Sequence, residues 1–446
     1  MANNLLRSLG LVSAVALIPA ATAALAAVDV DSYREFEEFM GVFNRVRAEY
    51  VEQVDDKTLL RGAIDGMLAS LDPHSSYLDA RGYQSLMTTT DGEYGGLGLN
   101  VTMEDGAVKI VAPIEDSPGF KAGIKAGDYI THLNGKLIYG GTLDEAVDSM
   151  RGAPGTTIKV TIVRPGRDKP FDVTLTRAVI ELPAVKWQVK DNVGIINVNT
   201  FSRTTTEETL AAIASIEKSL GRPPLGYIVD LRSNPGGLLD QAVGLSDVFL
   251  ERGEVVSQRG RKKTDIERFY ARPGDAAKGL PVVVLVDAGS ASAAEIVAAA
   301  LQDHHRGLVM GERTFGKGSV QTLVPLSQKT ALRLTTARYF TPSGRSVQEG
   351  GVTPDIQVPQ LSDPDYKTRQ RVRESDLRRH LINEVSVEND VIQEDGKPDP
   401  RFAMTAEQLK AKGIEDFQLH YALQTISRLG PRMAAKPAAP ARTGTR

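Results

Sequence analysis

The chain has 446 residues, a formal net charge of −3, 41% hydrophobic residues and no cysteine. The composition is that of a globular protein, and the length predicts about three domains. The absence of cysteine excludes disulfides, thiolate metal sites and cysteine catalysis. The near-neutral charge gives no reason to expect a nucleic-acid partner. The six histidines lack ligand spacing such as HExxH, so we predict no metal site and no cofactor.

Residues 1–26 are predicted to be a signal peptide for export. Arg7 supplies the positive charge, residues 9–19 are apolar, and A-x-A cleavage motifs end at Ala23 and Ala26. The apolar run is short for a transmembrane helix, which needs about 20 residues, and an uncleaved anchor is the less favoured alternative. We therefore expect an exported, periplasmic protein, either free or associated with the inner membrane.

Residues 29–91 are predicted to be a helical region. Phe36, Met40 and Phe43 recur at steps of three and four residues, and the Asp72-Pro73 pair ends the helical pattern. A mainly-β module is predicted next, over residues 92–178. Its clearest segments are strands at residues 108–111, 129–133 and 158–162, a turn at 134–135 and a short helix at 143–150.

A glycine-rich loop opens this β module and consists of Gly96, Leu97, Gly98 and Leu99. Glycines that flank an apolar residue let successive backbone N–H groups point into one concavity, which suits a carboxylate. A glycine-rich turn at the start of a strand is the equally acceptable alternative.

Strands and helices alternate over residues 179–358, where we predict a layered α/β core. The predicted strands cover residues 193–198, 227–231 and 282–286, and the predicted helices cover residues 206–220, 238–250 and 293–303. Residues 359–429 are predicted to be a C-terminal helical region with a helix at 406–429. The basic Pro/Ala-rich tail at residues 430–446 is predicted to be disordered.

Ser292 lies at the junction between a predicted buried strand and the helix that follows it. A serine in this position presents its hydroxyl at the carboxyl end of the sheet, where the next backbone amides and the helix dipole can stabilise an oxyanion. The spacing of Ser292 and Glu295 also fits a capping box, so this segment alone leaves both interpretations open.

Lys317 lies between two glycines in a segment that approximates a phosphate-binding loop. Gly318 replaces the Ser or Thr of that motif, and a strand rather than a helix is predicted to follow, so we do not predict nucleotide binding. A lysine between glycines approaches other backbone closely, and burial would lower its pKa. The neutral amine could then act as the general base for a serine, in place of the usual histidine.

The order of motifs in the β module resembles that of a PDZ domain, which binds a protein C-terminus by strand addition. These motifs are the glycine loop at residues 96–99, the segments 117–124 and 127–130, and the turn at 134–135. Residues 35–358 as a whole resemble the S41 peptidase family, the carboxyl-terminal processing or tail-specific proteases. In this family a lysine follows the nucleophilic serine by 25 residues and a glutamine follows the lysine by four, as Ser292, Lys317 and Gln321 do here.

This resemblance implies the fold and the site. The expected fold is α/β, with a layered, crotonase-like serine-protease core and an inserted mainly-β PDZ domain. Gln321 is expected to orient Lys317, and Arg151 to couple the PDZ domain to the active site. The expected oxyanion-hole residues are Gly236, Gly237 and Ala293.

The expected activity is that of a serine endopeptidase that acts on loosely folded proteins with apolar C-termini. A lipoprotein adaptor and a homo-oligomer are further partners that the sequence leaves open. One alternative is a catalytically inactive PDZ adaptor or chaperone, against which the intact set of Ser292, Lys317 and Gln321 argues. The other is a crotonase-like acyl-transfer enzyme, which would have no use for a PDZ insert or an export signal.

Overall fold

The computed structural model describes residues 30–434 except 263, 367 and 385–401. The predicted signal peptide and the last twelve residues of the predicted disordered tail lie outside the described residues. Within the described ranges, no helix is long and apolar enough to cross a membrane. The chain divides into two compact units at the boundary between Gly66 and Met67.

The first unit contains helix α1 (Val30–Glu49) and most of helix α2 (Asp56–Ala69). The periodic pattern therefore does not form one continuous helix. Asp55 starts α2, because its carboxylate accepts hydrogen bonds from the N–H groups of Lys57 and Thr58 at 2.9 and 3.1 Å.

The second unit begins with a segment that sequence analysis placed in the helical region. It contains strand β1 (Ser76–Leu78) and helix α3 (Ala80–Asp91). Asp79 caps α3 through a 2.8 Å hydrogen bond from the N–H of Gly82. The β1 strand pairs with a strand far along the chain, between residues 331 and 340, and local periodicity does not report such a partner.

The β module follows, and its elements are β2 (Glu93–Gly96), β3 (Leu99–Glu104), β4 (Ala107–Pro113), α4 (Pro118–Lys121), β5 (Tyr129–Leu133), β6 (Lys136–Leu137), α5 (Leu143–Met150), β7 (Thr157–Val163), β8 (Phe171–Thr176) and β9 (Ala178–Glu181). An antiparallel sheet has the order β3-β4-β5-β7-β8, so β3 is an edge strand. Apolar side chains of β3 and α5 pack on the same core. Where the chain enters and leaves the module, β2 and β9 form a separate two-stranded antiparallel ribbon.

The remaining strands are β10 (Val185–Lys190), β11 (Val193–Val198), β12 (Tyr227–Asp230), β13 (Gly253–Gly260), β14 (Ile266–Ala271), β15 (Val282–Val286), β16 (Leu308–Gly311), β17 (Ser319–Pro325), β18 (Ala331–Phe340) and β19 (Ile356–Gln357). The helices are α6 (Thr205–Leu220), α7 (Leu239–Phe249), α8 (Ala293–Asp303), α9 (Ala406–Ala411) and α10 (Phe417–Ala434). The central sheet has the order β10-β11-β12-β15-β16-β19, and its strands from β11 to β19 are parallel.

Both faces of the central sheet are covered by helices. In β15, Val282, Val284 and Val286 pack on one face with α6, α7 and α8, while Val283 and Leu285 pack on the other with α9 and α10. A strand that is buried on both faces is apolar throughout, as its sequence indicates. A second sheet, in the order β1-β18-β13-β14 with β17 beside β18, completes the layers. The predicted layered α/β class with an inserted β module is confirmed.

Candidate active site

Ser292 occupies a strained turn between β15 and α8. Its backbone angles, φ 54° and ψ −114°, lie outside the regions that non-glycine residues normally adopt. Such a conformation costs on the order of 1–3 kcal/mol and persists only where the surroundings hold it. A sharp, strained strand-to-helix turn of this kind also carries the nucleophile in α/β hydrolases.

The capping-box alternative for Ser292 is only half realised. The Glu295 carboxylate accepts the N–H of Ser292 at 2.8 Å. The Ser292 side chain makes no capping hydrogen bond, and the N–H of Glu295 donates to the carbonyl oxygen of Ser292 at 2.9 Å. The hydroxyl is therefore not used by the helix and remains available for chemistry.

The glycine loop of residues 234–237 lies directly against Ser292. A Cβ atom on Gly236 would be 2.8 Å from the Cβ of Ser292 and 3.0 Å from the backbone nitrogen of Ala293. The N–H of Gly236 donates to the side-chain oxygen of Asn234 at 2.8 Å, so this amide is already committed. Among the described residues, the N–H groups of Gly237 and Ala293 have no acceptor. One amide of this glycine loop, that of Gly237, and the amide of Ala293 are thus free, whereas the amide of Gly236 is taken by Asn234.

Lys317 lies in the loop that joins β16 to β17 and is half-buried. Burial lowers the pKa of its ammonium, and the positive charge of Arg333 lowers it further, whereas the carboxylates of Glu374, Glu295 and Asp72 oppose these effects. Its Nζ has no hydrogen bond to any described residue. These surroundings favour a neutral amine with a free lone pair.

The side chain of Gln321 hydrogen-bonds to two hydroxyl groups, and its role in orienting Lys317 stays a prediction. Its side-chain amide donates to the hydroxyls of Ser319 and Thr335 at 2.9 and 3.3 Å. The pairing of β17 with β18 has a register shift between Val320 and Gln321. A local bulge re-aims a side chain, and sequence spacing does not reveal it.

Two buried residues connect the Ser292 turn to the Lys317 loop, and sequence analysis gave neither a site role. Glu295 accepts hydrogen bonds from the backbone N–H groups of Ser292 and Lys317, at 2.8 and 2.9 Å. The hydroxyl of Tyr339 in β18 contacts the carbonyl oxygens of the same two residues. Glu295 could have been suspected from its position after Ser292, but a tyrosine within a strand has the appearance of an ordinary core residue.

A cluster of one arginine and two aspartates supports the start of the glycine loop that precedes Gly236 and Gly237. Arg232 donates to the carboxylate of Asp230 at 2.8 and 2.6 Å and to that of Asp416 at 2.9 and 2.8 Å. These bonds link the end of β12 to the segment that precedes α10. This cluster therefore shapes the loop rather than contacting Ser292.

In the β module, the loop of residues 96–99 directs its carbonyl groups toward the segment of residues 114–119. The carbonyl oxygen of Leu97 accepts the N–H of Gly119 at 2.9 Å, and that of Gly98 accepts the N–H of Ile114 at 2.8 Å. Within the part of the chain that the structure describes, the N–H groups of Leu97 and Gly98 have no acceptor. The loop precedes the edge strand β3, which begins at Leu99, and Gly96 ends β2.

Arg151 lies at the C-terminal end of α5. Its guanidinium is placed over the ring of Tyr94 in β2, 5.1 Å from the ring centroid. Arg177 donates to the last carbonyl oxygens of α5, those of Ser149 and Met150, at 3.0 and 2.9 Å. The C-terminal end of α5 thus contacts Tyr94 in β2 and Arg177, the residue that immediately precedes β9.

Three family models match parts of this chain. Models of peptidase family S41, the PDZ domain and the activating protease CtpB N-terminal domain match residues 192–358, 95–175 and 19–82. The carboxy-terminal-processing protease of Bartonella bacilliformis is 50% identical over 353 residues, which are 79% of this chain and 81% of the relative. The carboxy-terminal processing protease CtpA of Bacillus subtilis is 38% identical, over 74% of this chain and 70% of its own.

Among solved structures, a photosystem II D1 C-terminal processing protease is 30% identical and has a TM-score of 0.41, with 71% of this chain and 86% of that chain covered. The PDZ domain of a Vibrio cholerae carboxy-terminal protease, solved with a peptide, is 26% identical and has a TM-score of 0.19, over 20% of this chain and 99% of that one. On the extent of its similarity to the curated relatives, the chain belongs to peptidase family S41, as a PDZ-containing, serine-type carboxy-terminal processing protease.

Proposed function

We propose that this protein is an exported endopeptidase that cleaves proteins near their C-termini with a Ser292–Lys317 dyad. The observation that carries the proposal is the shared carboxylate of Glu295, which hydrogen-bonds the backbone of both residues although they are 25 positions apart. The lowered pKa of Lys317 supports its role as the base.

In the proposed reaction, the neutral amine of Lys317 takes the hydroxyl proton of Ser292 as its oxygen attacks the scissile carbonyl. The N–H groups of Gly237 and Ala293 donate to the developing oxyanion. The ammonium of Lys317 then returns the proton to the leaving amine, and an acyl-enzyme forms. Attack by a water molecule, again deprotonated by Lys317, releases the new C-terminus and regenerates the serine.

The PDZ domain would supply the selectivity for tails. An apolar C-terminal segment would add as a strand to the edge of β3, next to α5. The N–H groups of Leu97 and Gly98 would bind the terminal carboxylate. Delivery to the periplasm by the N-terminal signal would expose the enzyme to exported, loosely folded substrates.

The chemistry is tested with purified enzyme and an unstructured substrate that ends in apolar residues. Ser292→Ala and Lys317→Ala should each abolish cleavage while the protein stays folded. Lys278→Ala is the matched control, because this lysine is exposed and pairs with Glu217 at 3.0 Å. Cleavage at the normal rate by either folded dyad variant would refute the dyad and favour another nucleophile or base.

Tail recognition is tested separately with matched peptides that carry a free or an amidated C-terminus. The free acid should be cleaved faster, since amidation removes the charge that the loop amides bind. A short peptide that cannot reach both domains is the control and should show no difference. Equal rates for the two long peptides would contradict tail recognition and leave the dyad untouched.

A further inference from the structure

Ser292 and Lys317 are connected through their backbones on two sides. One carboxylate oxygen of Glu295 accepts both of their N–H groups, at 2.8 and 2.9 Å. The hydroxyl of Tyr339 lies 3.2 Å from the carbonyl oxygen of Ser292 and also contacts that of Lys317. One carboxylate and one phenol therefore connect the same two peptide segments.

The other oxygen of Glu295 extends this connection along the lysine loop. It accepts the hydroxyl of Thr314 at 2.5 Å and the N–H of Gly316 at 2.8 Å. Thr314 Oγ1 in turn accepts the N–H of Val352 at 2.7 Å, so its own proton is available to Glu295. All four partners of the carboxylate are donors, and only an ionised carboxylate, which is purely an acceptor, satisfies all of them.

Neither of the connecting side chains can act on a substrate directly. Glu295 is 0% exposed and Tyr339 is 2% exposed. Burying a carboxylate is costly, and a buried carboxylate persists only with full hydrogen bonding. The desolvation cost of Glu295 is offset here by four hydrogen bonds, and all four donors lie in the Ser292 turn or the Lys317 loop. This arrangement indicates a role in placing the two loops.

We propose that Glu295 and Tyr339 are positioning residues that set the separation and orientation of the dyad, an inference that rests on the proposed function of Ser292 and Lys317. The two loops belong to different connections of the sheet, β15 to α8 and β16 to β17. Without the hydrogen bonds of Glu295 and Tyr339, the two loops would move relative to each other. A misplacement of about 1 Å costs about 100-fold in rate.

Tyr339→Phe is the principal test, because it removes one oxygen and keeps the packing. We expect kcat to fall about 100-fold with KM changed less than twofold. The rate at which a fluorophosphonate labels Ser292 should fall in parallel. Raising the pH should restore neither rate, because the defect lies in geometry and not in the protonation of Lys317. Glu295→Gln should behave similarly, since a glutamine has one acceptor oxygen and its NH₂ group would face N–H donors.

Two matched variants separate positioning from stability and from charge. Tyr227→Phe removes the same hydroxyl from a fully buried tyrosine at the opposite end of the sheet and should leave kcat unchanged. Glu374→Gln removes a buried carboxylate whose charge raises the pKa of Lys317. The Glu374→Gln variant should shift the dependence of kcat on pH to lower pH and leave the maximal kcat unchanged.

A wild-type plateau of kcat and wild-type labelling in folded Tyr339→Phe would overturn the inference, as would the same result for Glu295→Gln. The outcome is distinguishable from failure of the proposed function. Suppose that Ser292→Ala and Lys317→Ala abolish cleavage while Tyr339→Phe and Glu295→Gln remain fully active. The dyad then stands, and only the positioning role is refuted.

Discussion

Gly236→Ala is expected to damage catalysis far more than folding. The residue has a φ of 100°, and an added Cβ would lie 2.8 Å from both the carbonyl oxygen of Ala291 and the Cβ of Ser292. Holding alanine at such a φ costs on the order of 1–3 kcal/mol. The close atoms are mostly backbone, so the contact is relieved only if the glycine loop moves away from Ser292.

That movement would displace the N–H of Gly237, the neighbouring oxyanion donor. Loss of one such donor typically lowers kcat by about 100-fold to 1,000-fold. For a domain of this size, about 2 kcal/mol of strain lowers Tm by about 4–8 °C. We therefore expect a folded protein with a moderately lower Tm and a kcat reduced by at least about 100-fold.

The assay is a steady-state measurement of kcat and KM on a tail-bearing peptide, with Tm from calorimetry. Gly221→Ala is the matched control: its φ is 63°, but no atom lies within 4 Å of the added Cβ, and it follows the end of α6. It should lower Tm and leave kcat unchanged. A normal kcat for Gly236→Ala, or an equal loss of kcat in Gly221→Ala, would refute the proposed geometry of the oxyanion hole.

Three further outcomes are expected. Lys317→Met should abolish cleavage and raise Tm at neutral pH. Because the folded-state pKa of Lys317 is lowered, its ammonium destabilises the fold below the ordinary lysine pKa, and calorimetry should show the gain in Tm vanishing as the pH rises above about 10. Burial raises the pKa of Glu295 to about 7, and its protonation would remove an acceptor from the dyad loops. The kcat should therefore fall as the pH drops through about 7 and rise further in alkaline solution as Lys317 becomes neutral; a flat profile from about pH 5 to 9 would contradict both roles. Gly98→Ala would place a Cβ 2.2 Å from the Cβ of Ser117 and should raise KM for long tails with little change in kcat, whereas Gly123→Ala, with nothing within 4 Å, should not.

The sequence predicts the parallel strands and their helices well, because each signal is local. The strands at residues 193–198 and 282–286 and the helices at 143–150 and 293–303 form with the predicted bounds. The apolar runs indicate strands buried on both faces, and the residue pattern at the Ser292 junction indicates where β15 ends.

The contacts that the sequence does not indicate depend on distant partners. Asn234 accepts the N–H of Gly236 at 2.8 Å, and its own side-chain amide donates to the carbonyl oxygen of Val198 at 2.7 Å. Gln321 hydrogen-bonds to Ser319 and Thr335 and lies beyond a bulge that only the pairing with β18 reveals. Tyr339 is 47 residues from Ser292, so its contact with the serine carbonyl oxygen has no local signature.

The β2–β9 ribbon has a consequence for how this enzyme can change. Glu93 pairs with Glu181 and Gly96 with Ala178, so the chain leaves the protease core and returns to it at neighbouring positions. The paired Cα atoms of antiparallel strands are about 5 Å apart. A module whose two ends lie side by side can be replaced by another module with the same end-to-end distance. The chain path of the protease core is not altered by such a replacement. If the module recognises tails as proposed, its exchange would change the tail preference, in evolution or by engineering, without rebuilding the site that cuts the peptide bond.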